Sequence, residues 1–260
     1  VTPWLGAPYY LYMNKAVDSM YECKTDREIC AGLALRLGVN ELTDDRTDEE
    51  WLRVISEGTG DIPSFEDFKE KGAVKIEEDP PFVAFREQID DPINNPFPTL
   101  SGKIEIYCDH LAEMNNPLIP PIAKYIPTPE GYDDPITQKY PLQLITSHWK
   151  RATHSTLEKI PWLEELESRR VWMNTLDAQK RGISDGEAVL VFNDRGRVFM
   201  RARVTERIMP GVVDMAEGGW FDIDQHGVDR GGCANMLTTS NNSPAGAWAT
   251  NTGLVEVERA

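Results

Sequence analysis

Eleven consecutive residues, Thr146-Ser-His-Trp-Lys-Arg-Ala-Thr-His-Ser-Thr156, hold two histidines, a lysine, an arginine, a tryptophan and five hydroxyls. Lys150 and Arg151 bring positive charge, the hydroxyls and loop N–H groups bring donors, and Trp149 brings a flat stacking face. That combination suits a phosphate-bearing heterocycle. The cluster follows the strand-like run Leu142–Thr146, and loops after strands carry function disproportionately. A solvated loop with satisfied histidines has the same composition, so the residues alone leave both readings open.

Two further segments qualify as ligand contacts. Asn174-Thr-Leu-Asp177 opens a short helical pattern, where Asn174 or Thr175 can serve as N-cap and Asp177 favours the positive end of the dipole. Near the end of the chain, Gly231 to Pro244 and Ala249 to Gly253 are small, amide-rich and nearly uncharged. Glycine lets backbone approach a ligand, and Asn235 or Asn251 offers both donor and acceptor to a base edge, although ordinary turns use the same residues. His148 or His154 with Ser155 and Asp177 has the residue types of a hydrolase triad, but no G-x-S-x-G elbow accompanies them. There is no G-x-G-x-x-G, Walker loop, C-x-x-C or metal-ligand spacing, and Cys23, Cys30, Cys108 and Cys233 read as free thiols. No residue is assigned a catalytic role.

The elements that must hold these residues change character along the chain. Residues 1–130 have 12 Lys/Arg against 25 Asp/Glu, and residues 131–260 have 15 against 18. The total of −16 repels a phosphate backbone and an anionic bilayer, so neither nucleic acid nor direct membrane contact is expected. The proline-rich stretch from Asn115 to Pro135 predicts a boundary: residues 1–115 mainly helical, 116–137 a connector, 138–260 a β domain. In the first part, helices are expected from Asp26 to Gly38, after Thr47 with Glu50 in capping-box spacing, and from Ser64 or Asp67 to Gly72. A strand is expected over Lys103–Tyr107. In the last part six short runs read as strands: Leu142–Thr146, Arg170–Met173, Ala188–Phe192, Val198–Val204, Gly211–Met215 and Leu254–Glu258. One helix, from Thr175 to Arg181, lies among them. Six strands with a tight turn at Asn193-Asp-Arg-Gly196 predict a small closed barrel, because closure removes exposed edges.

Taken in order, these segments resemble the C-terminal molybdopterin-dinucleotide-binding domain of the dimethyl sulfoxide reductase family of molybdenum enzymes. The resemblance rests on Ser147-His-Trp-Lys-Arg151 with His154-Ser155, the run Trp172 to Val189, Asn193-Asp-Arg-Gly196, Arg207 to Val213, and Asn235-Met-Leu-Thr238. Glu22 to Ile29, Leu35-Arg-Leu-Gly38 and Thr99 to Glu105 look like the end of that family's catalytic core. Among its members, anaerobic dimethyl sulfoxide reductase catalytic subunits are the most similar in the Lys-Arg…His-Ser cluster.

The resemblance implies a six-stranded double-psi β-barrel preceded by a mainly helical segment, in the C-terminal part of a longer oxidoreductase. It also explains a chain that begins with valine. It implies bis-molybdopterin guanine dinucleotide with molybdenum or tungsten in the intact enzyme, and an iron–sulfur cluster and metal ligand upstream. It further implies contacts with the rest of the catalytic subunit and with an iron–sulfur electron-transfer subunit. Ser147, His148, Trp149, Lys150, Arg151, His154, Ser155 and Thr156 would meet pterin and diphosphate, Asn174 and Asp177 guanosine, and Asn235 and Asn251 the same cofactor. The segment alone would neither retain the cofactor nor catalyse. Localisation stays open, although relatives are commonly exported by a twin-arginine signal. The segment from Ser243 to Asn251 lacks the basic stretch of close relatives. The alternative is a non-catalytic acidic module that docks onto a protein partner.

Overall fold

The structure is a computed structural model that describes residues 2–3, 8–39, 46–62, 64–76, 81–248 and 251–260. The chain forms two compact units, Val1–Lys103 and Ile104–Ala260.

In the first unit α1 (Asp26–Leu37) and α2 (Asp48–Gly58) each start from a threonine whose hydroxyl accepts the N3 amide while the N3 glutamate reaches back to the cap N–H. Thr25 pairs with Glu28 and Thr47 with Glu50 in these capping boxes. Ser64 caps α3 (Phe65–Lys71). All three helices fall where the sequence places them. The small antiparallel sheet of β1 (Thr2–Pro3), β2 (Tyr9–Leu11) and β3 (Ala73–Lys75) is not legible from periodicity, since no strand exceeds three residues. Phe65 and Phe68 are buried beneath Tyr12, which meets both rings edge-on. A further short helix is α4 (Arg86–Asp90).

The strand expected over Lys103–Tyr107 is not formed. The Thr99 and Ser101 hydroxyls both donate to the Lys103 carbonyl, an acceptor that a ladder would need, and Ile104 and Ile106 stay exposed.

In the second unit α5 (Asp109–Glu113) and a 3₁₀ turn, Pro135–Gln138, lead into the barrel. The strands are β4 (Leu142–Ile145), β5 (Val171–Met173), β6 (Ala188–Phe192), β7 (Arg197–Val204), β8 (Val212–Asp214), β9 (Val228–Asp229) and β10 (Gly253–Arg259). Ladder order runs β5-β8-β4-β10-β6-β7, and a β5–β7 pairing closes the ring; β9 is added to β7. The β4–β8 and β5–β7 pairs are parallel and the other ring pairs antiparallel. This closed six-stranded ring is a double-psi β-barrel, and its strands are the six read from the sequence.

Every second residue points inward. Leu142 and Leu144, Val171 and Met173, Val189 and Val191, Val198, Met200 and Ala202, Val213, and Val255 and Val257 make one core. Among the barrel strands lie the helices α6 (Pro161–Leu166) and α7 (Thr175–Arg181). Asn174 caps α7 and Gly182 ends it in the left-handed region, at φ 66°.

The proline-rich stretch belongs to this second unit rather than lying between the two. Glu130 ties it down, pairing both oxygens with Arg195 at 2.6 and 2.7 Å and accepting the Leu254 N–H.

Candidate functional site

The loop that leaves β4 is fixed at its second residue, Ser147. Ser147 donates its N–H and its hydroxyl to the two oxygens of Asp214, at 3.1 and 2.7 Å, and its carbonyl accepts the Glu217 N–H. Because β4 and β8 run parallel, both chains leave the barrel at the same end. His148, Trp149 and Lys150 are therefore carried beside the segment Ala216–Gly219.

These residues line a cavity of about 280 Å³ together with Glu167, Ser168, Arg169, Arg170, Trp172 and Arg207. Its wall holds four cations, Lys150, Arg169, Arg170 and Arg207, in a chain of net charge −16. Arg169 lies over the Trp149 ring at 4.7 Å and Arg207 over the Trp172 ring at 5.6 Å. A second cavity shares Trp149, Ser168 and Arg169 and adds Lys159, Arg201 and Arg230. A third shares Ser168, Arg170, Trp172 and Arg207 and adds Arg203. The result is a cationic, aromatic-lined band centred on Ser168–Arg170.

Arg169 is the buried member of that band. Its Nε meets Glu158 at 2.6 Å, one Nη donates to the Ala216 and Glu217 carbonyls, and the other Nη is buried with no hydrogen-bond partner. The Nε of Arg151, 3.7 Å from Glu167, is likewise buried without a hydrogen bond. The orphaned Arg169 nitrogen, on a residue that lines the cavity, fits an anionic ligand, because an unmade charged hydrogen bond is costly.

The remaining predicted residues fall into separate groups. His148 Nε2 and His154 Nδ1 lie 3.1 and 2.6 Å from one oxygen of Glu217. Ser155 gives its carbonyl to the Trp220 indole, and Thr156 closes a tight turn with Thr153. Asn251 joins the cluster, since its side-chain oxygen accepts the Thr146 hydroxyl at 2.7 Å. Ala249 and Thr250, in the same predicted loop, lie outside the described residues.

Asn174 and Asp177 are buried and engaged. Asn174 caps α7 through Leu176 N–H and donates to the Ile208 carbonyl; one Asp177 oxygen accepts the Gly211 N–H at 2.6 Å. Asn235 stands apart, lining a polar cavity with Thr238, Thr239, Asn241 and Trp248. The second unit also contains Cys233, whose thiol is pushed up by burial and is therefore a poor nucleophile.

Sequence reasoning missed Arg169, Arg170, Arg207, Trp172 and Glu217 as site residues. The pair Arg169-Arg170 just ahead of a strand was a usable signal. Glu217, some sixty residues from the histidines, gave none.

Residues 142–250 match the family model described as Molydopterin dinucleotide binding domain. The chain is 42% identical over 266 residues to dimethyl sulfoxide reductase DmsA of Escherichia coli, covering 96% of this chain and 33% of that one. The chain belongs to the dimethyl sulfoxide reductase family of molybdopterin oxidoreductases. It is 35% identical to the dimethyl sulfoxide/trimethylamine N-oxide reductase of Cereibacter sphaeroides, over 88% of this chain and 30% of that relative. It spans about a third of the length of the curated relatives it matches. In fold it is similar to the acetylene hydratase of Pelobacter acetylenicus, with a TM-score of 0.74 at 18% identity, covering 97% of this chain and 35% of that one. The stretch that the family model matches lies within the barrel unit, which is therefore a molybdopterin-dinucleotide-binding domain. No helix among the described residues is long and apolar enough to cross a membrane.

Proposed function

We propose that this chain is the part of an S-oxide or N-oxide reductase that seats the dinucleotide, and that it is not catalytic alone. The observation that carries the reading is the orphaned, buried Arg169 Nη beside a cavity walled by Lys150, Arg170 and Arg207 in an otherwise acidic chain.

Lys150, Arg151 and Arg169 would neutralise the diphosphate, with the Ser155 and Thr156 hydroxyls adding donors, Ser147 holding the loop in place through Asp214, and Trp149 and Trp172 offering faces to the pterin. His148 and His154 would donate at the same loop. Asn174 and Asp177 would address guanosine, the carboxylate accepting from its amino groups, and Asn235 and Asn251 would add amide contacts. When bound, the cofactor supplies the redox change at molybdenum or tungsten, while the protein supplies binding, orientation and electrostatics. An upstream iron–sulfur cluster and a separate iron–sulfur subunit would deliver electrons, and cofactor retention would need the rest of the catalytic subunit. The relatives' names support an oxygen-atom acceptor of the sulfoxide or amine oxide type.

The test is metal and nucleotide content of the intact enzyme, purified without air from a host that makes the cofactor. Molybdenum or tungsten with about two guanine nucleotides per metal is expected, with reduced-viologen-dependent turnover of dimethyl sulfoxide or trimethylamine N-oxide. Lys150→Ala plus Arg151→Ala should lower loading; unchanged loading in that variant overturns the residue assignment.

A further inference from the structure

We propose that His148, His154 and Glu217 form, in the cofactor-free protein, a binding site for a divalent transition-metal ion such as Zn²⁺. Their ligand atoms all lie within 4.8 Å of one another, so small side-chain rotations would bring them to the separations of roughly 3–3.5 Å found between ligands of one tetrahedral ion.

The convergence is specific. Two imidazoles from different points of one loop approach the same carboxylate oxygen, His154 Nδ1 at 2.6 Å and His148 Nε2 at 3.1 Å, and the rings stand edge-to-face at 5.3 Å. Although two imidazole nitrogens approach it closely, the buried Glu217 Oε1 accepts no hydrogen bond. A hydrogen-bonded imidazole–carboxylate pair satisfies that oxygen. Ligands grouped around a common ion leave it in this state until the ion binds.

The backbone builds the arrangement. Ser147 O takes the Glu217 N–H, which sets His148 beside Glu217. His154 adopts a left-handed φ of 54°, and a Cβ on Gly218 would sit 2.0 Å from the His154 carbonyl. Glycine at 218 thus allows a backbone approach that no other residue permits, and that approach delivers His154 to Glu217.

The donor set selects the ion. Two imidazole nitrogens and one carboxylate suit Zn²⁺, Co²⁺, Ni²⁺ or Fe²⁺ over Mg²⁺ or Ca²⁺, which favour oxygen ligands. Both histidine side chains are more than two-thirds exposed, so water can fill the remaining coordination positions. Since the dinucleotide is proposed to use the same histidines, metal and dinucleotide occupancy exclude each other there, and the metal site is tested on cofactor-free protein.

Co²⁺ is titrated into the full chain after chelator treatment, following its visible d–d absorption, and Zn²⁺ is then used to displace it. One equivalent is expected, displaced by Zn²⁺, without the intense sulfur-to-cobalt band that cysteine ligation gives. Glu217→Gln keeps the side chain's shape and should weaken binding by roughly 10- to 100-fold; His148→Ala plus His154→Ala should abolish it. Failure of the unaltered chain to take up Co²⁺, a sulfur-ligated spectrum, or equal affinity in Glu217→Gln overturns the proposal. The dinucleotide reading stands or falls separately on molybdenum loading.

Discussion

Ser147 and Asp214 form a two-point clasp, N–H to one carboxylate oxygen and hydroxyl to the other, that joins the ends of two parallel strands. The clasp fixes the start of the loop that bears His148, Trp149 and Lys150. Asp214→Ala removes both acceptors at once. A loss of about 1–3 kcal/mol is expected from hydrogen bonds to a charged group, read as a lower urea midpoint, together with reduced molybdenum loading of the intact enzyme. Asp214→Asn, which keeps one acceptor, should fall between the two.

Arg169 and Glu158 are a buried ion pair, their side chains 8% and 7% exposed. Arg169→Ala strands the carboxylate and frees the Ala216 and Glu217 carbonyls, so the barrel unit should lose about 3–5 kcal/mol. Arg169→Lys should rescue it only in part, because an ammonium cannot hold Glu158 and two carbonyls with one fixed fork. Chemical denaturation of the three proteins decides this; equal stabilities would refute it.

Gly218→Ala places a methyl group against the His154 carbonyl. The variant should lose of order 1–3 kcal/mol through forced backbone shifts and should move His154 away from Glu217. Histidine ring signals in NMR report that movement directly. Gly186→Ala, where a Cβ would meet nothing but φ is also positive, separates backbone strain from the collision.

The capping boxes of α1 and α2 give the first unit an acid-sensitive component. Donation from the Thr25 N–H and then its hydroxyl holds Glu28 below the usual carboxylate range, and Thr47 does the same for Glu50. A carboxyl lowered in the folded state contributes stability that is complete above its unfolded pKa of about 4.3 and lost as pH falls through the lower folded value. Helical circular dichroism in moderate urea should therefore decline on acidification below about pH 4. Glu50→Gln preserves a capping acceptor without titrating, so it should flatten that decline.

Several features were legible because their determinants are local. The helix opening at Asp26, the capping box at Thr47, the α7 start at Asn174, and the alternation of Val189, Val191, Val198 and Met200 follow from residue types a few positions apart. The failed strand at Lys103–Tyr107 shows the limit of alternation, because local hydroxyl donation took the carbonyl that a ladder would have used. Likewise, the proline-rich run looked like a free connector until Glu130 met Arg195, 65 positions later.

The site divides in the same way. The sequence by itself determined that a cationic, hydroxyl- and tryptophan-bearing loop follows a barrel strand, because composition and position are local properties. Tertiary structure alone decided that Arg169 lies under Trp149, that Asp214 clasps Ser147, and that Glu217 receives both histidines. Those contacts exist because β4 and β8 are parallel neighbours in a closed ring, and strand pairing across such distances leaves no periodic mark in the chain.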